Sequence, residues 1–192
     1  TKQRIDVLSG AEEAKLTFLA TRRWFGWSSG VLLVLDIGGG STEFVFGTDS
    51  VEAARSMNIG CVRMSERHFT GDQPDPGQIA SAIEDIDEAI RQAAKTVPIT
   101  EAKTVIMVAG TATTVAAAAL DLPAYDRYAI HLSRISAERT HQISTELLRE
   151  TREQRAAHGY MHPGRVDVIG AGSLVLDRIM LATGATEFVA SE

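Results

Sequence analysis

The chain has 192 residues, 44% hydrophobic and 23% charged, enough apolar content for a packed core and contrary to disordered, collagen-like or coiled-coil classes. A formal net charge of −6 argues against broad nucleic-acid binding, yet leaves room for a phosphate-rich ligand held by backbone N–H groups or a metal ion. The single cysteine, Cys61, excludes an internal disulfide framework and fits a cytoplasmic setting; no apolar run is long enough to span a membrane, and nothing behind Thr1 resembles a signal peptide.

The first element read along the chain is a helix start at Ser9-Gly-Ala-Glu12-Glu13-Ala-Lys15, with Ser9 as cap and Glu12 at the capping-box position. Val31–Leu35 is a continuous apolar run, as in a strand buried on both faces; it ends at Asp36 and is followed by a turn at Gly38-Gly39-Gly40. Thr42–Thr48 is rich in β-branched and aromatic residues and predicts a second strand. After the turn Thr48-Asp49-Ser50, Val51–Ile59 completes a three-strand meander. Asp75-Pro76-Gly77-Gln78 combines a cap, a proline at the first helical position and a capping-box glutamine. Ile79, Ile83, Ile86 and Ile90 then mark one apolar helical face. Thr104–Val108 predicts a buried strand ended by Gly110, Thr111–Leu120 an alanine-rich helix, and Ser136 the cap of a helix through Arg149. A last helix from near Arg165 to Gly184 and a short strand, Thr186–Ala190, close the pattern. A meander followed by alternating helices and strands predicts a mixed α/β domain over residues 1–192, distinct from the doubly wound nucleotide folds.

Three constellations carry chemistry. In Asp36-Ile-Gly-Gly-Gly-Ser-Thr-Glu43 a carboxylate closes a buried strand, and Gly38, Gly39 and Gly40 let backbone N–H groups approach an anion. Ser41 and Thr42 add hydroxyls for phosphate oxygens, and Asp36 with Glu43 suits a hydrated Mg²⁺ shared with phosphate. In Gly110-Thr-Ala-Thr-Thr114 the N–H groups of a helix start and the hydroxyls of Thr111 and Thr113 offer a second anion site, or simply a threonine-capped helix. Gly170 and Gly172 lie inside an apolar helix, either for close packing or to admit a base or ribose. His158 and His162 have a helical metal spacing, but Gly159 and Pro163-Gly164 favour a loop. Cys61 reads as a small buried residue, and Trp24 and Trp27 as core or lobe-contact residues.

Taken in order, Val7–Ala14, Val34–Glu43, Ile59–Arg63, Ala109–Thr114 and Arg165–Gly172 resemble the exopolyphosphatase and guanosine pentaphosphate phosphohydrolase (Ppx/GppA) family, within the actin-like ATPase superfamily of ribonuclease-H-like folds. The resemblance implies Mg²⁺-dependent hydrolysis of terminal phosphate from polyphosphate or guanosine pentaphosphate. It places the catalytic base on Glu13, assigns metal and water-positioning carboxylates to Asp36 and Glu43, and makes Gly38–Thr42 and Gly110–Thr113 phosphate loops. Lys15 stands where the family usually has arginine. The family's first phosphate loop, Asp-x-Gly-Ser-Asn-Ser, is missing, so the chain is expected to be the second lobe of a two-lobed enzyme, inactive without its N-terminal lobe. Homodimerisation is open, and neither nucleic acid nor membrane is an expected partner. An ATP-dependent kinase of the same superfamily and a non-catalytic phosphate- or alarmone-binding module are the alternatives.

Overall fold

A computed structural model describes the backbone of residues 10–25 and 30–192, and the side chains of residues 15–23 and 30–192. Ser9 and Trp27 lie outside the described residues, as do the side chains of Glu12, Glu13 and Trp24.

Six strands form one sheet in the order β3-β2-β1-β4-β6-β5. β1 (Leu32–Ile37) pairs antiparallel with β2 (Thr42–Gly47), and β2 antiparallel with β3 (Val51–Met57). On its other side β1 pairs in parallel with β4 (Thr104–Val108), which pairs in parallel with β6 (Glu187–Ala190); β5 (Arg134–Ser136) is the antiparallel edge. This is the expected ribonuclease-H-like arrangement, a meander continued by parallel strands.

Strand alternation explains how the two faces are covered. Leu33, Leu35, Phe44, Phe46 and Met107 belong to the larger core, beneath α3 (Pro76–Ala94), α4 (Ala109–Ala119), α6 (Ala137–Arg149) and α8 (Ile169–Thr183). Leu32, Val34, Val45, Ile106 and Val189 point to the opposite face, where Phe18 of α1 (Gly10–Phe25) closes a second core. The helix start at Asp75 is as read: Asp75 accepts from Gly77 and Gln78, and Gln78 returns a bond to the Asp75 N–H. Ser136 likewise caps α6.

The structure corrects several boundaries. β3 stops at Met57, and α2 (Cys61–His68), absent from the sequence reading, follows at once. Its cap, Gly60, has no side chain to signal a start. Cys61, at its first position, is half-buried rather than buried. β5, α5 (Arg127–Ile130) and α7 (Arg152–Ala157) are too short to show a period and were also missed. α4 begins at Ala109, not Thr111, and α8 at Ile169, because Pro163–Arg165 forms a 3₁₀ turn. His158 caps the end of α7 while His162 starts that turn, so the two share no helix, as expected. Among the described residues, no helix is long and apolar enough to cross a membrane.

A candidate phosphate site at the ends of the parallel strands

Asp36 is level with Val108 across the β1/β4 pair, and Met107 with Ala190 across β4/β6. The glycine turn after β1, the start of α4 and Ser191 after β6 therefore lie at one edge of the sheet, where parallel α/β sheets commonly bind ligands.

The glycine turn closes on itself through the Gly38 N–H, which donates to the Ser41 carbonyl at 3.0 Å. Its remaining carbonyls are gripped by the start of α2. The Cys61 N–H donates to Gly38 (2.9 Å), the Val62 and Arg63 N–H groups to Gly39 (2.9 and 3.1 Å), and Arg63 Nε to Gly40 (2.7 Å). These bonds use donors that a helix start otherwise leaves unsatisfied. They also orient the turn. In a trans peptide the N–H points opposite to the C=O, so the amides of Gly39 and Gly40 face away from α2. Gly39 and Gly40 are exposed, and their N–H groups make no hydrogen bond among the described residues.

Neither glycine is required by the protein's own packing. A Cβ on Gly39 would meet Val62 at 3.4 Å, one on Gly40 would meet Arg63 at 3.5 Å, and neither backbone is left-handed. Gly60 is the opposite case: a Cβ there would sit 2.4 Å from the Gly39 carbonyl oxygen. Gly60 lets α2 reach the turn, whereas a side chain at Gly39 or Gly40 would only touch Val62 or Arg63 at ordinary contact distance.

The hydroxyls expected to bind phosphate are engaged with partners inside the protein. Ser41 Oγ donates to Glu43 at 2.7 Å, and fully buried Thr42 donates to the Ile59 carbonyl at 3.0 Å. Thr111 is buried and donates to the Ile37 carbonyl at 3.3 Å, tying α4 to the end of β1. Thr113 and Thr114 turn back to the Gly110 carbonyl. A hydroxyl has one proton to give, so the donors left facing outward on the glycine turn are the backbone amides.

Asp36 and Glu43 are direct cross-strand partners and share the face covered by α1. Glu43 is buried and accepts from both Ser41 and Ser56 through Oε1, each at 2.7 Å. α1 lies against β1, β2 and β3, and Arg22 near its end pairs with Asp49 (3.1 Å) in the β2–β3 turn, at the far edge from the glycines. Position 13 precedes Arg22 by nine residues, about 13 Å of helix. Lys15 is exposed. No group of three or more His, Cys, Asp or Glu among the described residues could by itself hold a metal. Two cross-strand carboxylates beside a turn with outward amides nonetheless fit Mg²⁺, which binds through one or two carboxylates, phosphate oxygens and water.

Sequence reasoning assigned no role to Arg165. Its Nη1 donates to the Gly110 carbonyl (2.5 Å) and Thr114 Oγ1 (3.1 Å), and a Cβ on Gly110 would overlap the guanidinium at 1.5 Å. The second loop therefore carries an arginine beside the helix-start N–H groups and threonine hydroxyls expected there. Ala109, at the same junction, is held at φ 63, a left-handed conformation costing a non-glycine residue about 1–2 kcal/mol. Beyond Arg165 lies a cleft of about 370 Å³ lined by Tyr125, Gly159, Tyr160, Met161 and His162. Burial, and then the neighbouring Glu192, raise the Tyr125 phenol; burial, followed by Glu150, pushes Tyr160 up to about 12. A larger hollow of about 470 Å³ behind α2 is lined in part by Arg155, which commits its donors to Val166, Leu147, Glu150 and Asp72. Gly172 is explained by packing alone: a Cβ would sit 2.9 Å from both Cys61 and Thr111.

The sheet order and the glycine turn at the ends of its parallel strands define a ribonuclease-H-like domain of the actin-like ATPase type. A model of the Ppx/GppA phosphatase family matches residues 1–189, and the chain belongs to that family. It is 42% identical over 174 residues to exopolyphosphatase 2 of Mycobacterium tuberculosis, a match covering 91% of this chain and 54% of that protein. The crystal structure of an exopolyphosphatase-like protein superposes with a TM-score of 0.90 at 40% identity, covering all of this chain and 65% of the other. The Ppx/GppA protein of Aquifex aeolicus shares the fold, with a TM-score of 0.85 at 23% identity over 97% of this chain and 60% of its own. The chain thus spans about half the length of the curated relative and under two thirds of the structures' chains.

Proposed function

We propose that this chain is one lobe of a Mg²⁺-dependent phosphohydrolase that removes terminal phosphate from polyphosphate or guanosine pentaphosphate, with an N-terminal lobe supplying the facing half of the site. The observation that carries this reading is the glycine turn, whose outward amides are fixed by α2 and whose Gly39 and Gly40 carry no side chain although the protein's own packing would accept one. Similarity to the mycobacterial exopolyphosphatase supports the substrate class.

In this reading the amides of the turn hold the terminal phosphoryl oxygens, and their fixed dipoles stabilise charge that grows during displacement. Asp36 and Glu43 would hold Mg²⁺, which supplies charge neutralisation when bound. Ser41 and Ser56 fix the Glu43 carboxylate in place. Glu13 acts as general base toward the attacking water. The lobe alone lacks the opposing clamp and should release negligible phosphate.

The test is phosphate release by the full-length protein from polyphosphate, guanosine pentaphosphate and ATP, with and without Mg²⁺, beside Glu13→Gln. The variant should lower kcat by about 10²–10⁴-fold with little change in KM. Unchanged kcat removes Glu13 from the mechanism, and release from ATP alone contradicts the substrate assignment.

A further inference from the structure

We infer that Arg63 is a positioning residue of the phosphate site: it turns the Gly40–Ser41 peptide toward the anion and supplies the positive charge beside it. The inference rests on the phosphate reading of the glycine turn and adds a residue to it.

Three carbonyls of the turn are held by the first turn of α2, but not by equivalent donors. Gly38 and Gly39 are held by backbone N–H groups of residues 61–63, which any residue type would provide. Gly40 is held by a side chain, Arg63 Nε, at 2.7 Å. Because the peptide is planar and trans, fixing the Gly40 carbonyl also fixes the direction of the Ser41 N–H. Without Arg63 the other two grips remain, and the third peptide is free to rotate.

The rest of the guanidinium is well placed for a second task. Arg63 is exposed, with Nη2 3.5 Å from where a Gly40 Cβ would stand, and its two Nη groups make no hydrogen bond or ion pair among the described residues. It therefore has donors and charge available beside Gly40. Glu43 carries the opposing charge nearby and is already bonded to Ser41 and Ser56. A guanidinium can bond a carbonyl through Nε and an anion through its Nη edge at once, whereas a lysine ammonium is a single point charge on a flexible stem.

The experiment uses the full-length protein with inorganic phosphate as the probe. Backbone amide resonances of Gly39, Gly40 and Ser41 are followed by ¹H–¹⁵N NMR in wild type, Arg63→Met and Arg63→Lys, before and during a phosphate titration. Without phosphate, both variants should shift the Gly40 and Ser41 amides while the Gly39 amide stays near its wild-type position. Phosphate affinity should fall about tenfold or more in Arg63→Met and recover only in part in Arg63→Lys, with melting temperatures within about 4 °C of wild type. Wild-type affinity in Arg63→Met, or full recovery by lysine with unmoved amides, overturns the inference and leaves the phosphate site standing. A wild-type protein whose turn amides do not respond to phosphate overturns the phosphate reading and this inference with it.

Discussion

Adding one methyl group at Gly60 separates the two kinds of glycine at this site. An alanine Cβ there would lie 2.4 Å from the Gly39 oxygen and 2.5 Å from both the Gly39 carbon and the Ser41 nitrogen. These contacts are about 1 Å short of ordinary van der Waals separation, and all the offending atoms are backbone. Relief requires the turn and α2 to part, which strains or breaks the bonds from Cys61, Val62 and Arg63 at 2.9–3.1 Å. Overpacking of this kind costs about 1–3 kcal/mol. In a domain of this size that corresponds to a melting temperature lower by roughly 2–12 °C. The amides should lose their common orientation at the same time, so phosphate affinity falls in step. Thermal denaturation by circular dichroism and a phosphate titration of Gly60→Ala check both arms. A variant that melts within about 1 °C of wild type and binds phosphate normally would refute the claim that α2 holds the turn in place.

Other substitutions test the framework around the site. Gly170→Ala and Gly172→Ala lie in the same helix and should differ in sign: the first meets Leu148 at an ordinary 3.5 Å and should stabilise by about 0.5–1 kcal/mol, while the second is forced against Cys61 and Thr111 and should lower the melting temperature. Asp85 receives His68 Nε2 at 2.8 Å and Arg67, tying the end of α2 to α3; burial pushes its carboxyl up, but the bonds from His68 and Arg67 outweigh this and its pKa is lowered. A lowered folded pKa gives stability that is present above the unfolded value, about 4, and is lost as pH falls through the folded one. Asp85→Asn should therefore melt below wild type at pH 7, and the gap should close as pH drops below about 4; a gap independent of pH contradicts the assignment.

The elements legible in the sequence are those whose signals are local. Asp75, Pro76 and Gln78 satisfy one another within four residues, and the run ending at Asp36 is apolar because both faces of β1 are covered. α2 was missed because its start is secured by carbonyls of Gly38 and Gly39, more than twenty residues earlier, with no capping side chain at Gly60. The same limit applies to the site. Residue types marked Asp36–Glu43 and Gly110–Thr114 as loops at strand ends, but which way each hydroxyl turns depends on tertiary partners such as Ile59 for Thr42 and Ile37 for Thr111. Arg63 and Arg165 act on Gly40 and Gly110 across 23 and 55 residues, and no local spacing reports such contacts.

The central claim is that Gly39 and Gly40 are bare because an anion, not the protein, needs the space. Calorimetric titration of inorganic phosphate into Gly39→Ala and Gly40→Ala, with melting temperatures taken on the same samples, tests it most directly. A Cβ at either position meets the protein only at 3.4–3.5 Å, so the melting temperature should stay within about 3 °C of wild type. Phosphate affinity should nonetheless fall about tenfold or more, because a methyl on the Cα beside each amide crowds the turn and restricts the backbone that presents the N–H groups. Alanine variants that keep both stability and phosphate affinity would contradict the account.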